Sequence, residues 1–124
     1  MLNYLSKGGI FILNQVVLVG RLVKDPEVIE KENNKKVSYI TVAVPRSFKD
    51  ANGEYQTDFL RVTLFDLVAQ NTSEYCKKGS IVGIKGRLQS SVVEKDDKES
   101  KYYMDIIAEK VTFLSSKSED ENEE

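Results

Sequence analysis

The sequence predicts an all-β chain: a five-stranded Greek-key barrel with one short helix between strands 3 and 4. Three observations carry the prediction. Apolar residues alternate at period two in several segments, as in strands with one buried face. Glycines sit inside those segments, where a barrel has to bend. Helix signals occur in one place, between the third and fourth strands. An α+β sandwich built from the same elements is the competing architecture.

The first strand is Val16 to Val23, apolar and carrying Gly20. Lys24-Asp25-Pro26 ends it, since proline has no N–H to give a ladder. Residues 30 to 36 (EKENNKK) read as a polar loop. The second strand begins near Val37, with Ile40, Val42 and Val44 on one face and Tyr39, Thr41 and Ala43 on the other. Asn52-Gly53, within Asp50 to Glu54, is a hairpin-turn signal. In the third strand, Asp58 to Phe65, Leu60, Val62 and Leu64 share one face while Phe59, Arg61, Thr63 and Phe65 share the other.

A helix follows, with Asp66 as its cap and Lys77-Lys78-Gly79 as its stop, cations and a left-handed glycine suiting a C-terminus. Ile81 to Gln89 is the fourth strand, where Gly83 and Gly86 permit bending. Residues 94 to 101 (EKDDKESK) form a charged loop, and Tyr102 to Leu114 is the last strand, apolar at Met104, Ile106 and Ala108. Three strands, a helix and two strands is the order of the OB-fold barrel, and alternation in every strand suits a filled interior.

The 124 residues make one domain. Residues 1–12 read as an N-terminal extension, 13–114 as the barrel and 115–124 (SSKSEDENEE) as a short acidic tail, disordered by composition. The net charge of −2 is unevenly spread: up to Ser116 there are 17 Lys and Arg against 15 Asp and Glu, and from Lys117 onward 1 against 5. A mildly basic body therefore carries an acidic tail, and the field near a ligand matters more than the sum. A single cysteine, Cys76, excludes a disulfide framework and fits a reducing cytoplasm. The run Ile10 to Leu13, broken by Asn14-Gln15, is too short to span a bilayer, which takes about 20 apolar residues, and has no cleavage site. The expected location is cytoplasmic.

Leu60, Val62 and Leu64 suffice for the core, so Phe59 and Phe65, with Arg61 between them, need a second explanation. In one reading a neighbouring element or subunit covers the rings. In the other they form a stacking platform: every base has a π-face, so an exposed ring holds an unpaired strand whatever its sequence. Arg61 then adds a phosphate contact or stacks its guanidinium. Arg46-Ser47-Phe48-Lys49 leads out of the second strand as a loop beside that platform, either a clamp of one ring between two cations or a ring folded onto the barrel. Lys85 and Arg87 alternate with Ile84 and Leu88, which puts both on the outward face, where cations are also commonly just solvated. Lys77-Lys78 reads as a helix stop rather than a contact.

Enzyme chemistry finds little support. Without histidine, no Ser-His or Cys-His pair can form. The glycines of SIVGIKGRLQ lack P-loop spacing. Carboxylates gather in loops and tail, Asp96-Asp97 included, as solvated charge rather than metal ligands. Cys76 reads as a small packed residue near a helix C-terminus, where the local field does not activate a thiol. No metal, cofactor or catalytic residue is expected.

Four segments closely resemble bacterial-type single-stranded-DNA-binding proteins: LNQVVLVGRLVKDPEV at 13–28, ITVAVPRSFKDANGEYQTDFLRVTLF at 40–65, YCKKGSIVGIKGRLQ at 75–89 and AEKVTFL at 108–114. The resemblance covers nearly the whole body in the right order, with chromosome, plasmid and phage all open as the source. It implies an OB fold, a homotetramer, and roles in DNA replication, recombination and repair. Phe48, Phe59 and Phe65 fall where that family places base-stacking aromatics, and Arg61 at a basic position beside one of them. Gly20, Arg21, Asp25 and Pro26 match its opening motif, which is more structural than DNA-contacting.

Two departures stand out. Where the family usually has a basic residue and then an aromatic after the fourth strand, this chain has Ser91 and Val93, which predicts weaker or shorter-footprint binding. The stretch Asn122-Glu123-Glu124 is acidic but lacks the final hydrophobic residue through which the family docks repair enzymes, so replication and repair proteins stay open as partners while that terminal docking motif is absent. The leading function is sequence-independent coating of single strands. An OB-fold primosome or replisome adaptor with mainly protein partners is the alternative, and an OB-type nuclease would need a carboxylate cluster that the strands lack.

Overall fold

The period-two segments become the walls of a closed barrel. The computed structural model describes residues 13–94 and 99–115. Its elements are β1 (Val16–Leu22), β2 (Ile29–Glu30), β3 (Lys36–Lys49), β4 (Tyr55–Phe65), α1 (Asp66–Tyr75), β5 (Ile81–Glu94) and β6 (Ser100–Phe113). The strands lie in the order β1-β5-β6-β4-β3-β2, and β1 pairs back onto β3 at Arg21↔Ala43 and Leu22↔Val42. That contact closes five strands into a barrel. The seam between β4 and β6 is parallel (Val62↔Ile106, Thr63↔Ile107), and the other pairings are antiparallel. This is the OB fold. The two-residue β2, absent from the sequence reading, lies on the flank of β3 (Ile29↔Val37). Among the barrel strands proper, the helix falls between the third and fourth, as expected.

The interior is built from the alternate residues that the pattern singled out. Ile40 and Val42 of β3, Val62 and Leu64 of β4, Val82 and Ile84 of β5, and Leu22 of β1 are all buried, with Leu60, Val44 and Ile106 packed against them. Ala69 from α1 and the Cys76 side chain join the same cluster. Close packing brings backbones together as well. A Cβ on Gly20 would stand 2.8 Å from the Ala43 carbonyl oxygen, and one on Gly86 would overlap the Ile107 carbonyl. Gly86 adjoins the irregularity between Lys85 and Gly86 where β5 bends along β6.

Four expectations are corrected. Asp66 does not cap the helix: the cap position belongs to Phe65, and Asp66 adopts a left-handed φ of 53°. Its carboxylate is thereby turned away from the helix N–H groups and accepts the Lys36 backbone N–H at 3.1 Å, tying the helix start to β3. Lys77-Lys78-Gly79 lies beyond the helix in a separate turn, where the Ser80 N–H donates to the Lys77 carbonyl (2.9 Å). Asp25 accepts the Lys78 N–H at 2.7 Å, which joins that turn to the end of β1. Arg46-Ser47-Phe48-Lys49 is strand rather than loop, since β3 runs to Lys49. Met104, grouped with Ile106 and Ala108 as an apolar position of the last strand, is 67% exposed because β6 extends past the barrel wall.

The last two corrections share a cause. Both long hairpins run out beyond the core, and there neither face is buried, so the apolar alternation that reveals a strand is lost. The β3–β4 arm is locked at its tip instead. The Asp50 carboxylate accepts the backbone N–H groups of Asn52 and Glu54 (both 2.9 Å) and the Gln56 amide (2.6 Å), with Gly53 at φ 80°. The β5–β6 arm carries its ladder to Glu94↔Ser100. The rest of the charged loop at 95–98, the N-terminal extension and the acidic tail from Ser116 lie outside the described residues.

Candidate nucleic-acid interface

Directly paired residues of an antiparallel ladder share a face. The β3–β4 register sets Tyr39 opposite Thr63, Thr41 opposite Arg61 and Ala43 opposite Phe59, with Ile40–Val62 and Val42–Leu60 turned inward. Tyr39, Thr41, Phe59 and Arg61 therefore stand on one outward face. Ala43 is too small to cover the ring opposite, and Phe59 is 66% exposed. Phe65, six residues or roughly 20 Å along the strand, is 47% exposed.

Between the two rings, the Arg61 guanidinium lies over the Tyr39 ring, 4.5 Å from its centroid. This diagonal contact aims the cation across the strands, toward Tyr39 rather than along β4. The Tyr39-Thr41-Ala43 alternation already turns Tyr39 to this face, and that is the sequence signal for a residue absent from the predicted site. An open cavity of about 370 Å³ at this end is lined by Lys31, Lys35, Lys36, Val37, Tyr39, Phe65 and Asp66. The lysines of the EKENNKK stretch thus flank two aromatic rings, which a reading of that stretch as a polar loop could not reveal.

On the β3–β4 arm, Phe48 is 62% exposed. Lys49 pairs with Tyr55, and its ammonium lies 5.6 Å from that ring's centroid. Arg46 is engaged: its guanidinium grips the Asp58 carboxylate through contacts of 2.8, 3.2 and 3.2 Å. This fork-to-fork hydrogen bonding raises the Arg46 pKa and holds the Asp58 carboxyl below the usual carboxylate range. Asp50 is lowered too, first by the Glu54 backbone N–H and then by the Gln56 amide. Arg46 thus splints the arm that carries Phe48.

The remaining two candidates lie on β5, across β6 from the rings. Arg87 joins a transverse row through Ile107 and Thr63 to Tyr39, so it shares the outward face. Its guanidinium donates to Gln89 (2.7 Å) and lies 3.7 Å from Glu109. Lys85 is exposed, flanked by Val17 and Lys110 in the ladders. The eight predicted residues therefore resolve into Phe59, Arg61 and Phe65 on the barrel wall, Arg46, Phe48 and Lys49 on one arm, and a β5 pair set apart. Among the described residues, no group of three His, Cys, Asp or Glu could hold a metal ion, and no helix is long and apolar enough to cross a membrane.

A closed five-stranded barrel whose outward face sets exposed aromatic rings beside cations defines an OB-fold protein of the kind suited to unpaired nucleic acid. The comparisons place it further. The model of the single-strand binding protein family matches residues 13–114, and the chain belongs to that family. It is 42% identical over 106 residues to single-stranded DNA-binding protein B of Bacillus subtilis strain 168, covering 86% of this chain and 94% of that one. It is 41% identical over 107 residues to single-stranded DNA-binding protein 2 of Staphylococcus aureus strain Mu50, covering 86% and 76%. Single-stranded DNA-binding protein 3 of Listeria innocua is 42% identical over 106 residues, covering 86% and 66%.

Proposed function

We propose that this protein binds single-stranded DNA without reading its sequence, coating and protecting unpaired strands during replication, recombination and repair. The observation that carries the reading is Phe59, a large ring left two-thirds exposed on the barrel wall, next to Arg61. Family membership supports it. Bases stack on Phe48, Phe59 and Phe65, while Arg61, Lys49, Lys85 and Arg87 meet phosphates and Arg46 keeps the Phe48 arm in shape. Stacking discriminates little among bases, and duplex DNA hides the faces that the rings need. The protein acts by binding alone, in the cytoplasm, as a homotetramer whose four barrels lengthen the path for the strand.

The test is a fluorescence-anisotropy titration of labelled dT oligomers at low and high salt, with a duplex of equal length as control. The expected result is binding to dT that weakens as salt rises, through counterion release, and little binding to duplex. Equal, feeble binding to both forms would overturn the reading and turn attention to a protein partner for the barrel.

A further inference from the structure

The β5–β6 arm carries side chains for which the reading above has no task. Its ladder pairs Ser91 with Tyr103 and Val93 with Lys101. At the barrel wall β6 meets β4 at Val62↔Ile106 and Thr63↔Ile107, and the two strands part beyond these pairs. Side chains alternate along both strands. Thr63, Arg61 and Phe59 therefore share the outward face with Ile107, Asp105, Tyr103 and Lys101. Because β4 and β6 run parallel, Phe59 and Tyr103 each stand four residues before the last shared pair, at the same level on diverging strands.

Tyr103 is 47% exposed, and Lys101 beside it is exposed as well. Asp105, half-buried one step nearer the barrel, disfavours phosphate there and directs it outward toward Lys101. We propose that Tyr103 stacks a base and Lys101 holds the neighbouring phosphate, so that the β5–β6 arm is a second jaw facing Phe59 across the gap between the strands. This rests on the single-strand reading of the β3–β4 face. The pair gives this arm the ring and the cation that Val93 and Ser91 do not provide, from the facing strand of the same hairpin.

The chain has no tryptophan, so a single introduced one reports its own surroundings. Tyr103→Trp and Phe59→Trp proteins are titrated with a dT oligomer of about 30 nucleotides, longer than the ~4–16 nucleotides one OB fold covers. Quenching of both is expected. Tyr103→Ala should weaken dT binding about 5- to 150-fold while Tyr103→Phe does not. Lys101→Gln should reduce the slope of log K against log salt by about 0.7.

Quenching of Phe59→Trp alone overturns the second jaw and leaves the β3–β4 reading standing. A Tyr103→Trp emission that is already blue-shifted without DNA and moves to the red on protein dilution also overturns it, because a second copy then covers the ring. Absence of quenching in both, with no dT binding by the unaltered protein, defeats the underlying reading and the jaw with it.

Discussion

Val62 and Leu64 on β4 are wholly buried, whereas Phe59 and Arg61 on the same strand stand in solvent. One strand thus presents two surfaces at alternate residues. The inward set closes the barrel with β3 and β5 side chains, and its removal leaves a cavity. Among the described residues nothing covers the outward set, so its apolar area contributes little to folding and is available for contact with something else. Stability and binding are therefore separable on this strand, residue by residue.

Substitutions on either face test that separation. The largest effect is expected at Leu64→Ala, which should lower stability by about 2–5 kcal/mol in denaturant melts, while the folded fraction still binds dT. Phe59→Ala and Phe48→Ala should each weaken dT binding by about 1–3 kcal/mol with nearly unchanged thermal midpoints. Loss of dT binding by folded Leu64→Ala, or easy melting of Phe59→Ala, would collapse the distinction between the two faces. Arg61→Gln should cost a salt-slope increment of about 0.7 and further affinity from the lost stacking over Tyr39, both read from titrations at several salt concentrations.

The smallest effect concerns the arm. Asp58→Asn releases Arg46 and should lower the thermal midpoint slightly near neutral pH. Because the folded pKa values of Asp58 and Asp50 lie below normal, their contribution is fully present above the usual Asp value of about 4 and disappears as pH falls through the lowered values. The melting difference between the unaltered protein and Asp58→Asn should therefore vanish in acid. Between pH 6 and 8 neither carboxylate titrates and the chain has no histidine, so dT binding should be flat across that range.

What the sequence made legible follows the burial. Residues 37–44 and 58–65 alternate because one face packs inward, and both strands were readable, down to the outward placement of Phe59, Arg61 and Phe65. The arms were not, because Arg46 to Lys49 and Ser90 to Glu94 have solvent on both faces. The Arg61–Tyr39 contact was hidden by register. Counting back from Lys49↔Tyr55 would set Tyr39 against Phe65, but an irregularity between Pro45 and Lys49 slides the ladder and sets it against Thr63. The same shift sets Val44 rather than Arg46 directly opposite Asp58, so the Arg46–Asp58 pair is a diagonal one. Asp66 carried a capping residue's chemistry, yet its left-handed backbone sent the carboxylate to Lys36, an outcome fixed by tertiary structure rather than by local sequence.

The most direct test of the two-faced strand is a paired measurement on Phe59→Ala: a dT titration by anisotropy and a thermal melt of the same preparation. The account predicts clearly weaker binding at an unchanged melting midpoint. A lowered midpoint with undiminished binding by the folded protein would contradict it, making Phe59 a buried structural residue in solution and removing the platform from β4.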